Sequence, residues 1–158
     1  MSKIDDLLKQ ATPKKAFYEK KVKSRDVQPG TYKATICDMS SRLSFTTKKG
    51  HLCDMYWVKY KIDEDHPEFG GNILRDRGQF RYKESNHGGN VYYKEYLDKL
   101  SIPLVETRLK DVIRYELPPI LLNDIKGRKV LIEVFQSEWS SSRGMKKEMV
   151  AKLKHEIK

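Results

Sequence analysis

Apolar and polar residues alternate with a period of two at three places in the first half of the chain, beginning at Gly30. The first stretch contains the alternating residues Tyr32, Lys33, Ala34, Thr35, Ile36 and Cys37. The second is Leu52–Ile62, and the third runs from about Ile73 to Tyr82 with Gly78 as a candidate bulge. Because successive side chains of a strand point to opposite faces, this pattern predicts three half-buried strands.

A helical spacing of apolar residues follows the third predicted strand. Its members are Tyr92, Tyr93, Tyr96, Leu97 and Leu100. The spacing stops before Pro103, which cannot continue a helix. The next segment, Leu104–Asn123, is interrupted by Pro118 and Pro119, and we expect part of it to be helical.

Alternation returns near the end of the chain, after Gly127. It predicts a fourth strand around Val130–Phe135 and a fifth around Met145–Leu153, separated by a polar tip from Ser137 to Gly144. The predicted order is three strands, a helix and two strands. That order is typical of the OB-fold, a five-stranded Greek-key barrel with its helix between strands three and four. We therefore expect an all-β domain over residues 30–158.

Residues 1–29 have a different composition from the rest of the chain. Ile4, Leu7 and Leu8 have helical spacing, and Pro29 and Gly30 end the segment. Between Lys14 and Arg25 it contains the basic residues Lys14, Lys15, Lys20, Lys21, Lys23 and Arg25 against one acid, Glu19. Two interpretations remain open: a basic, partly helical or flexible arm that is simply solvated, and a polycation that contacts phosphates when substrate binds.

The charge balance favours a polyanionic partner. Lys and Arg total 32 against 22 Asp and Glu, a formal net charge of +10. A field of that sign attracts nucleic acid, an acidic membrane surface or an acidic protein. No run approaches the roughly 20 apolar residues of a membrane span. Asp5 and Asp6 argue against a secretory signal, and Cys37 and Cys53 lack CxxC spacing, so we expect a cytoplasmic protein.

The second predicted strand carries the first candidate binding residues. Alternation places Tyr56, Val58, Tyr60 and Ile62 on one face and Met55, Trp57, Lys59 and Lys61 on the other. Single strands are bound by this second combination, because bases stack on aromatic rings while cations follow the phosphates. The alternative is that Trp57 packs under the helix or the amino-terminal arm.

The third predicted strand adds three arginines that alternation places on one face. Continuous alternation places Ile73, Arg75, Arg77, Gln79 and Arg81 on one face. An arginine side chain both pairs with phosphate and stacks on bases, so Arg75, Arg77 and Arg81 predict a groove floor beside Trp57 and Lys59. The alternative is that these arginines only keep an exposed face soluble.

Two loops are expected to flank this floor. The first contains Lys48 and Lys49, together with Arg42 and Phe45. The second is the polar tip, which contains Trp139 and Arg143 and is followed by Lys146. An exposed tryptophan among serines suggests a base-stacking residue, although Trp139 capping the end of the barrel is the alternative.

Signals for catalysis or a cofactor are weak. The chain has no GxxxxGK[ST] phosphate loop and no HExxH motif, and its His and Cys residues lack paired metal-ligand spacing. A metal-dependent nuclease needs clustered carboxylates, whereas Asp54, Asp76, Glu133 and Glu148 are scattered over several predicted strands. We therefore expect no catalytic residues, no metal site and no cofactor.

Several segments together resemble the single-stranded DNA-binding proteins of tailed phages and related mobile elements. These are GTYKATI, KKGH, GGNILRD, KEYLDKLSIP and IKGRKVLIEV with the basic strand that follows, so the resemblance covers about Pro29 to Leu153. It implies an OB-fold, a role in replication or recombination, and a binding surface on Lys33, Trp57, Lys59, Arg75, Arg77 and the Trp139–Lys146 hairpin. Many such proteins end in an acidic tail that recruits partner enzymes, whereas this chain ends KLKHEIK. The resemblance therefore implies docking elsewhere or a dedicated polymerase or recombinase.

The sequence thus predicts a non-enzymatic protein that binds single-stranded DNA without sequence specificity. RNA stays open as a ligand, because stacking surfaces accept either polymer. The competing hypotheses are a small nuclease on a similar barrel and an accessory protein whose basic face docks an acidic partner. Both monomer and homodimer remain open.

Overall fold

A computed structural model describes residues 16, 18, 27–84, 86–141 and 143–158. The predicted arm, residues 1–29, therefore lies almost entirely outside the described residues. Val27 is one exception, since it is buried in the hydrophobic core. The core thus includes a residue that precedes the expected domain boundary at Gly30.

The described residues form eight strands and two helices. The strands are β1 Gly30–Thr46, β2 Leu52–Ile62, β3 Ile73–Arg75, β4 Gln79–Tyr82, β5 Val105–Arg108, β6 Ile113–Glu116, β7 Lys129–Ser141 and β8 Gly144–Glu156. The helices are α1 Asn90–Lys99 and α2 Leu122–Ile125. The all-β class is confirmed, and so is the helix between the third and fourth predicted strands.

The main sheet is antiparallel and has the order β3–β2–β1–β7–β8. Strand β4 pairs with the same edge of β2 as β3 does, but with the earlier residues Cys53–Tyr56. Strand β1 is long because it pairs with two neighbouring strands, one on each edge. Gly30–Thr35 pair with β7, and Ala34–Thr46 pair with β2. Register shifts at Ile36/Asp38 and at Arg42/Phe45 bend β1 between these partners.

The sheet curls until β3 lies against β8. Arg75 Nη2 is 3.0 Å from Glu148 Oε1, so an ion pair links the two strands. Among the described residues, no hydrogen-bonded ladder joins β3 or β4 to β8. The predicted closed five-stranded barrel is therefore not confirmed; the confirmed part is the antiparallel sheet.

The core lies between the inner face of this sheet and α1. The sheet supplies buried residues that include Ile36, Val58, Tyr60, Ile132 and Val134. Helix α1 supplies Tyr93, Tyr96 and Leu97, and Leu100 follows it. These residues have the helical spacing seen in the sequence, which explains why α1 was predictable.

Residues Leu104–Asn123 were expected to be partly helical, and only the last two of them are helical. They contain a second, two-stranded sheet formed by β5 and β6, whereas α2 begins only at Leu122. Lys110 and Asp111 form the turn, because the Leu109 amide donates to the Val112 carbonyl at 2.8 Å. Each strand has only four residues, too few to establish a period.

The polar tip from Ser137 to Gly144 was also expected to be a loop. Most of it is strand instead, since β7 continues to Ser141 and pairs with β8 from Gly144 onward. A long hairpin therefore extends beyond the region where β1 pairs with β7. None of the described helices is long and apolar enough to cross a bilayer.

The third predicted strand is interrupted, and Asp76 bridges the interruption. The Asp76 amide donates to the Val58 carbonyl at 3.0 Å, and Asp76 Oδ1 accepts the Val58 amide at 3.2 Å. Asp76 Oδ1 also accepts the Gly78 amide at 3.0 Å, and Gly78 has a left-handed φ of 106°. A carboxylate thus accepts the Val58 amide at the point where β3 ends, so this buried donor keeps a partner.

Asp76 is buried, and Tyr60 and Gln79 also donate to its second oxygen, Oδ2. Burial raises the pKa of Asp76 to about 6, although the hydrogen bonds from Gln79, Val58, Gly78 and Tyr60 oppose that rise. The charged carboxylate is therefore retained at neutral pH at a cost in stability.

We expect Asp76→Asn to remove a pH-dependent contribution to the stability of the fold. The folded-state pKa lies above the roughly 3.9 of an unfolded aspartate, so the wild type gains stability as pH falls from about 7 to 4. The variant lacks this gain, and its stability relative to the wild type should fall by about 2 kcal/mol over that range. Urea unfolding at several pH values measures the difference. Parallel curves for the two proteins would contradict this account.

Candidate nucleic-acid interface

The two faces of β2 are as the sequence predicted. Tyr56, Val58, Tyr60 and Ile62 are buried in the core. Met55, Trp57, Lys59 and Lys61 lie on the opposite face, and each is partly exposed. We call this second face of the main sheet the outer face. Trp57 is therefore outside the hydrophobic core that the sheet forms with α1. The alternative that it packs under the amino-terminal arm concerns residues that lie almost entirely outside the described part of the chain.

The interruption at Asp76 changes which residues of β4 share the outer face. Lys59 pairs with Arg75, but Tyr56 pairs with Gln79, so β3 and β4 together contain one extra residue relative to β2. An offset of one residue exchanges the two faces of a strand. Phe80 consequently lies opposite Met55 on the outer face.

The prediction that Arg81 shares the outer face with Arg75 is therefore wrong. Arg81 pairs in register with Asp54, which is buried. Its Nη1 is 2.9 Å from Asp54 Oδ2, and its Nε donates to the Leu117 carbonyl at 2.7 Å. Arg81 thus connects β4 to the segment after β6 and neutralises a buried charge.

Asp54 also holds the β1 bulge. Its Oδ1 accepts the Ser44 amide at 2.7 Å, and Lys83 Nζ lies 3.3 Å from the same oxygen. Ser44 has a left-handed φ of 52°. Burial alone would raise the pKa of Asp54, but the Ser44 amide, Lys83 and Arg81 together lower the pKa below its ordinary value.

A group of aromatic rings on and beside β4 was missed by sequence reasoning. The rings of Tyr82 and His87 are stacked with centroids 3.6 Å apart, and the Phe80 ring is 6.1 Å from that of Tyr82. His51 meets His87 edge-on at 4.5 Å, and His51 Nδ1 is 2.8 Å from Glu84 Oε2. The alternating pattern assigned Phe80 and Tyr82 to the inner face, so only the one-residue offset could have identified them.

The turn between β1 and β2 lies beside these rings. A cleft of about 410 Å³ is lined by Thr47, Lys48, Lys49, His51, Phe80, Tyr82 and His87. The predicted cations Lys48 and Lys49 are exposed. The structure thus brings two predicted phosphate contacts together with two aromatic residues that were not predicted.

Two glycines keep space open for this aromatic surface. A Cβ placed on Gly78 would be 3.4 Å from Trp57 Nε1 and 2.4 Å from the terminal methyl of Met55. A Cβ on Gly89 would be 2.6 Å from the Tyr82 ring. The rings of Trp57 and Tyr82 therefore approach the backbone closely at the interruption and at the start of α1.

The other predicted cations lie at different places on the sheet. Lys59 and Arg75 are register neighbours on the outer face, and Asp38 of β1 lies opposite Lys59 as well. Arg75 also forms the ion pair with Glu148 of β8. Arg77 is exposed within the interruption. Lys33 is exposed on β1 opposite Leu131 of β7, away from Ser40, which is the β1 partner of Trp57.

The hairpin residues lie together at the far part of β7 and β8. Trp139 is 43% exposed and pairs in register with Lys146. Arg143 is exposed at the turn. Glu148, which contacts Arg75, lies two residues beyond Lys146 on β8, so the ion pair connects this hairpin to the outer face.

The four carboxylates considered for a nuclease have separate partners. Asp54 and Asp76 hold the bulge and the interruption, and Glu148 pairs with Arg75. Glu133 Oε1 is 3.9 Å from Lys154 Nζ. In the described part of the chain, no three His, Cys, Asp or Glu side chains are grouped to hold a metal ion.

No protein-family model matches this chain, and a search of curated proteins finds no match.

We expect Arg81→Ala to lower the free energy of unfolding by roughly 2–4 kcal/mol, because it leaves Asp54 with one cation fewer and the Leu117 carbonyl without its donor. The matched control is Arg77→Ala, whose exposed side chain should change stability by less than about 0.5 kcal/mol. Urea denaturation of both variants tests the assignment. Equal losses in the two variants would show that Arg81 has no special structural role.

Proposed function

We propose that this protein binds single-stranded nucleic acid, with DNA favoured, on the outer face of β2 and β4 and without sequence specificity. The observation that carries the proposal is the combination of Trp57, Phe80 and Tyr82 with Lys48, Lys49 and Lys59 on one side of the sheet. Aromatic rings stack with any base, and cations neutralise any phosphate, so this surface has no need of base-edge contacts.

The strand order supports an OB-type arrangement for this proposal. If β3 and β4 are counted as one interrupted strand, the sheet has the order third, second, first, fourth and fifth, with α1 between the third and fourth. In OB-folds, oligonucleotides bind on the face formed by strands two and three. Two loops also contact the ligand: one joins strands one and two, and the other joins strands four and five. The corresponding parts here are the outer face, the Lys48–Lys49 turn and the β7–β8 hairpin with Trp139 and Lys146.

The biological role belongs to the same proposal. The resemblance to phage and mobile-element proteins supports coating of exposed strands during replication or recombination, beside a polymerase or recombinase. The net charge of +10 favours rapid association with a polyanion.

Trp57→Ala should weaken binding to an unstructured oligodeoxynucleotide by about 1–3 kcal/mol, because one base loses its stacking contact with the indole ring. Tyr82→Ala should act in the same direction. Fluorescence anisotropy with labelled oligonucleotide measures both, and Tyr115→Ala on β6 provides a control aromatic outside the main sheet. In a Trp139→Phe background, quenching of Trp57 emission at saturation reports stacking directly.

Unchanged affinity in Trp57→Ala, with full Trp57 emission at saturation, would overturn the proposed surface. Equal affinity for single strands and for duplex of the same length would overturn the proposed ligand. A parallel titration with RNA tests the preference for DNA. Incubation of labelled strands with Mg²⁺ tests the nuclease hypothesis, for which cleavage abolished by one Asp→Asn change is the expected result.

Binding should also depend on salt. The logarithm of the binding constant should fall linearly with the logarithm of salt concentration, with a slope of about −0.7 for each phosphate contacted. Replacing Lys48 and Lys49 together by Ala should make that slope less steep by about 0.7–1.4. The double variant Lys110→Ala with Lys126→Ala removes the same charge from exposed positions outside the outer face. A slope that changes equally in both double variants would show that only net charge matters.

A further inference from the structure

The β5–β6 hairpin forms a sheet of its own, and within the described residues one edge of β5 has no strand partner. In the part of the chain that the structure describes, β5 pairs only with β6. Its four residues, Val105–Arg108, are all exposed. An unpaired strand edge presents amide and carbonyl groups that can pair with another strand.

The hydrogen bond at the turn shows which backbone groups point toward that free edge. The Leu109 amide donates to the Val112 carbonyl, so this pair is hydrogen-bonded across the hairpin. Hydrogen-bonded and non-hydrogen-bonded pairs alternate in an antiparallel ladder. Thr107 therefore directs its backbone groups toward β6, whereas Glu106 and Arg108 direct theirs outward.

We propose that β5 pairs antiparallel with β5 of a second copy of this chain, about a two-fold axis at Thr107. The outward groups of Glu106 then bond to those of Arg108 of the second copy, and the reverse pair forms by symmetry. Two hairpins become one four-stranded sheet, through an interface that is the same patch on both copies.

Charge selects this register over its neighbours. Within one copy, Arg108 Nη2 lies 3.5 Å from Glu106 Oε2, so both charged groups are on the same face of β5. The proposed register places Glu106 and Arg108 of opposite copies directly across from each other twice, and opposite charges in that position stabilise a strand pair. A shift of two residues in one direction places Glu106 opposite Glu106, and in the other direction Arg108 opposite Arg108. Both shifts bring like charges together.

The other face of the strand supports the same register. Val105 lies opposite Leu109 of the second copy, and Leu109 is beside Val112 across its own hairpin. All three side chains are exposed: Val105 by 59%, Leu109 by 39% and Val112 by 57%. Pairing would cover apolar surface on one face and place two ion pairs on the other.

The interface is small, well below the roughly 1,200 Å² of a stable complex, so dimerisation in free solution should be weak and dependent on concentration. Cross-linking can capture such a complex. At a non-hydrogen-bonded pair the two Cα atoms are about 4.5 Å apart, within the roughly 4.4–6.8 Å that a disulfide spans. Thr107→Cys places one thiol on each side of the proposed two-fold axis.

Under mild oxidation, Thr107→Cys should form a disulfide-linked dimer about tenfold faster than Lys126→Cys, an exposed position outside β5, because ion pairs and apolar contacts hold the two edges in register. Non-reducing gel electrophoresis measures the rates, and the wild type gives the background from Cys37 and Cys53. If the two variants cross-link at equal rates, the pairing is wrong.

Charge reversal provides a second measurement that needs no added cysteine. Glu106→Arg places two arginine side chains opposite each other in both cross-copy pairs and should lower the dimer fraction in sedimentation velocity at high concentration. Adding Arg108→Glu restores opposite charges and should restore the dimer. A dimer fraction that follows net charge, or a monomer at every concentration, would overturn the proposal without bearing on strand binding by the outer face.

Discussion

The pair of contacts between Asp76 and Val58 determines how the candidate binding face is built. At the end of β3, the aspartate carboxylate accepts the Val58 amide while its own amide donates to the Val58 carbonyl. These contacts allow one extra residue between β3 and β4 without leaving a buried donor unpaired. Because of that residue, the aromatic side chains of β4 lie on the same side of the sheet as Trp57.

Much of the fold could be predicted, because β2 and α1 are long enough for their periods to be distinct. The faces of β2 and the position of α1 follow from this. The exchange of faces in β4 could not be predicted, since Gly78 suggested a bulge but alternation does not show how many residues it inserts. Arg81 and Phe80 were therefore assigned to the wrong faces. The β5–β6 hairpin was missed because strands of four residues contain too few positions to reveal a period.

Several of the basic residues that contribute to the net charge are paired with carboxylates within the fold, so fewer cations are free to bind a ligand. Asp54 engages Arg81 and Lys83, and Arg75 is paired with Glu148. These interactions fix the bulge in β1, connect β4 to the segment after β6 and hold β8 against β3. Part of the basic character of the sequence thus stabilises the fold, and the candidate face depends on a smaller set of lysines beside aromatic rings.

The stack of Tyr82 on His87 has a thermodynamic consequence for any ligand. One side of the phenol ring is already covered by the imidazole, and the Gly89 amide donates to His87 Nδ1, which fixes the imidazole in turn. A ring held in this way has little rotational freedom left to lose on complex formation. The entropic penalty of recognition then falls mainly on the flexible polymer, and the protein contributes a rigid surface.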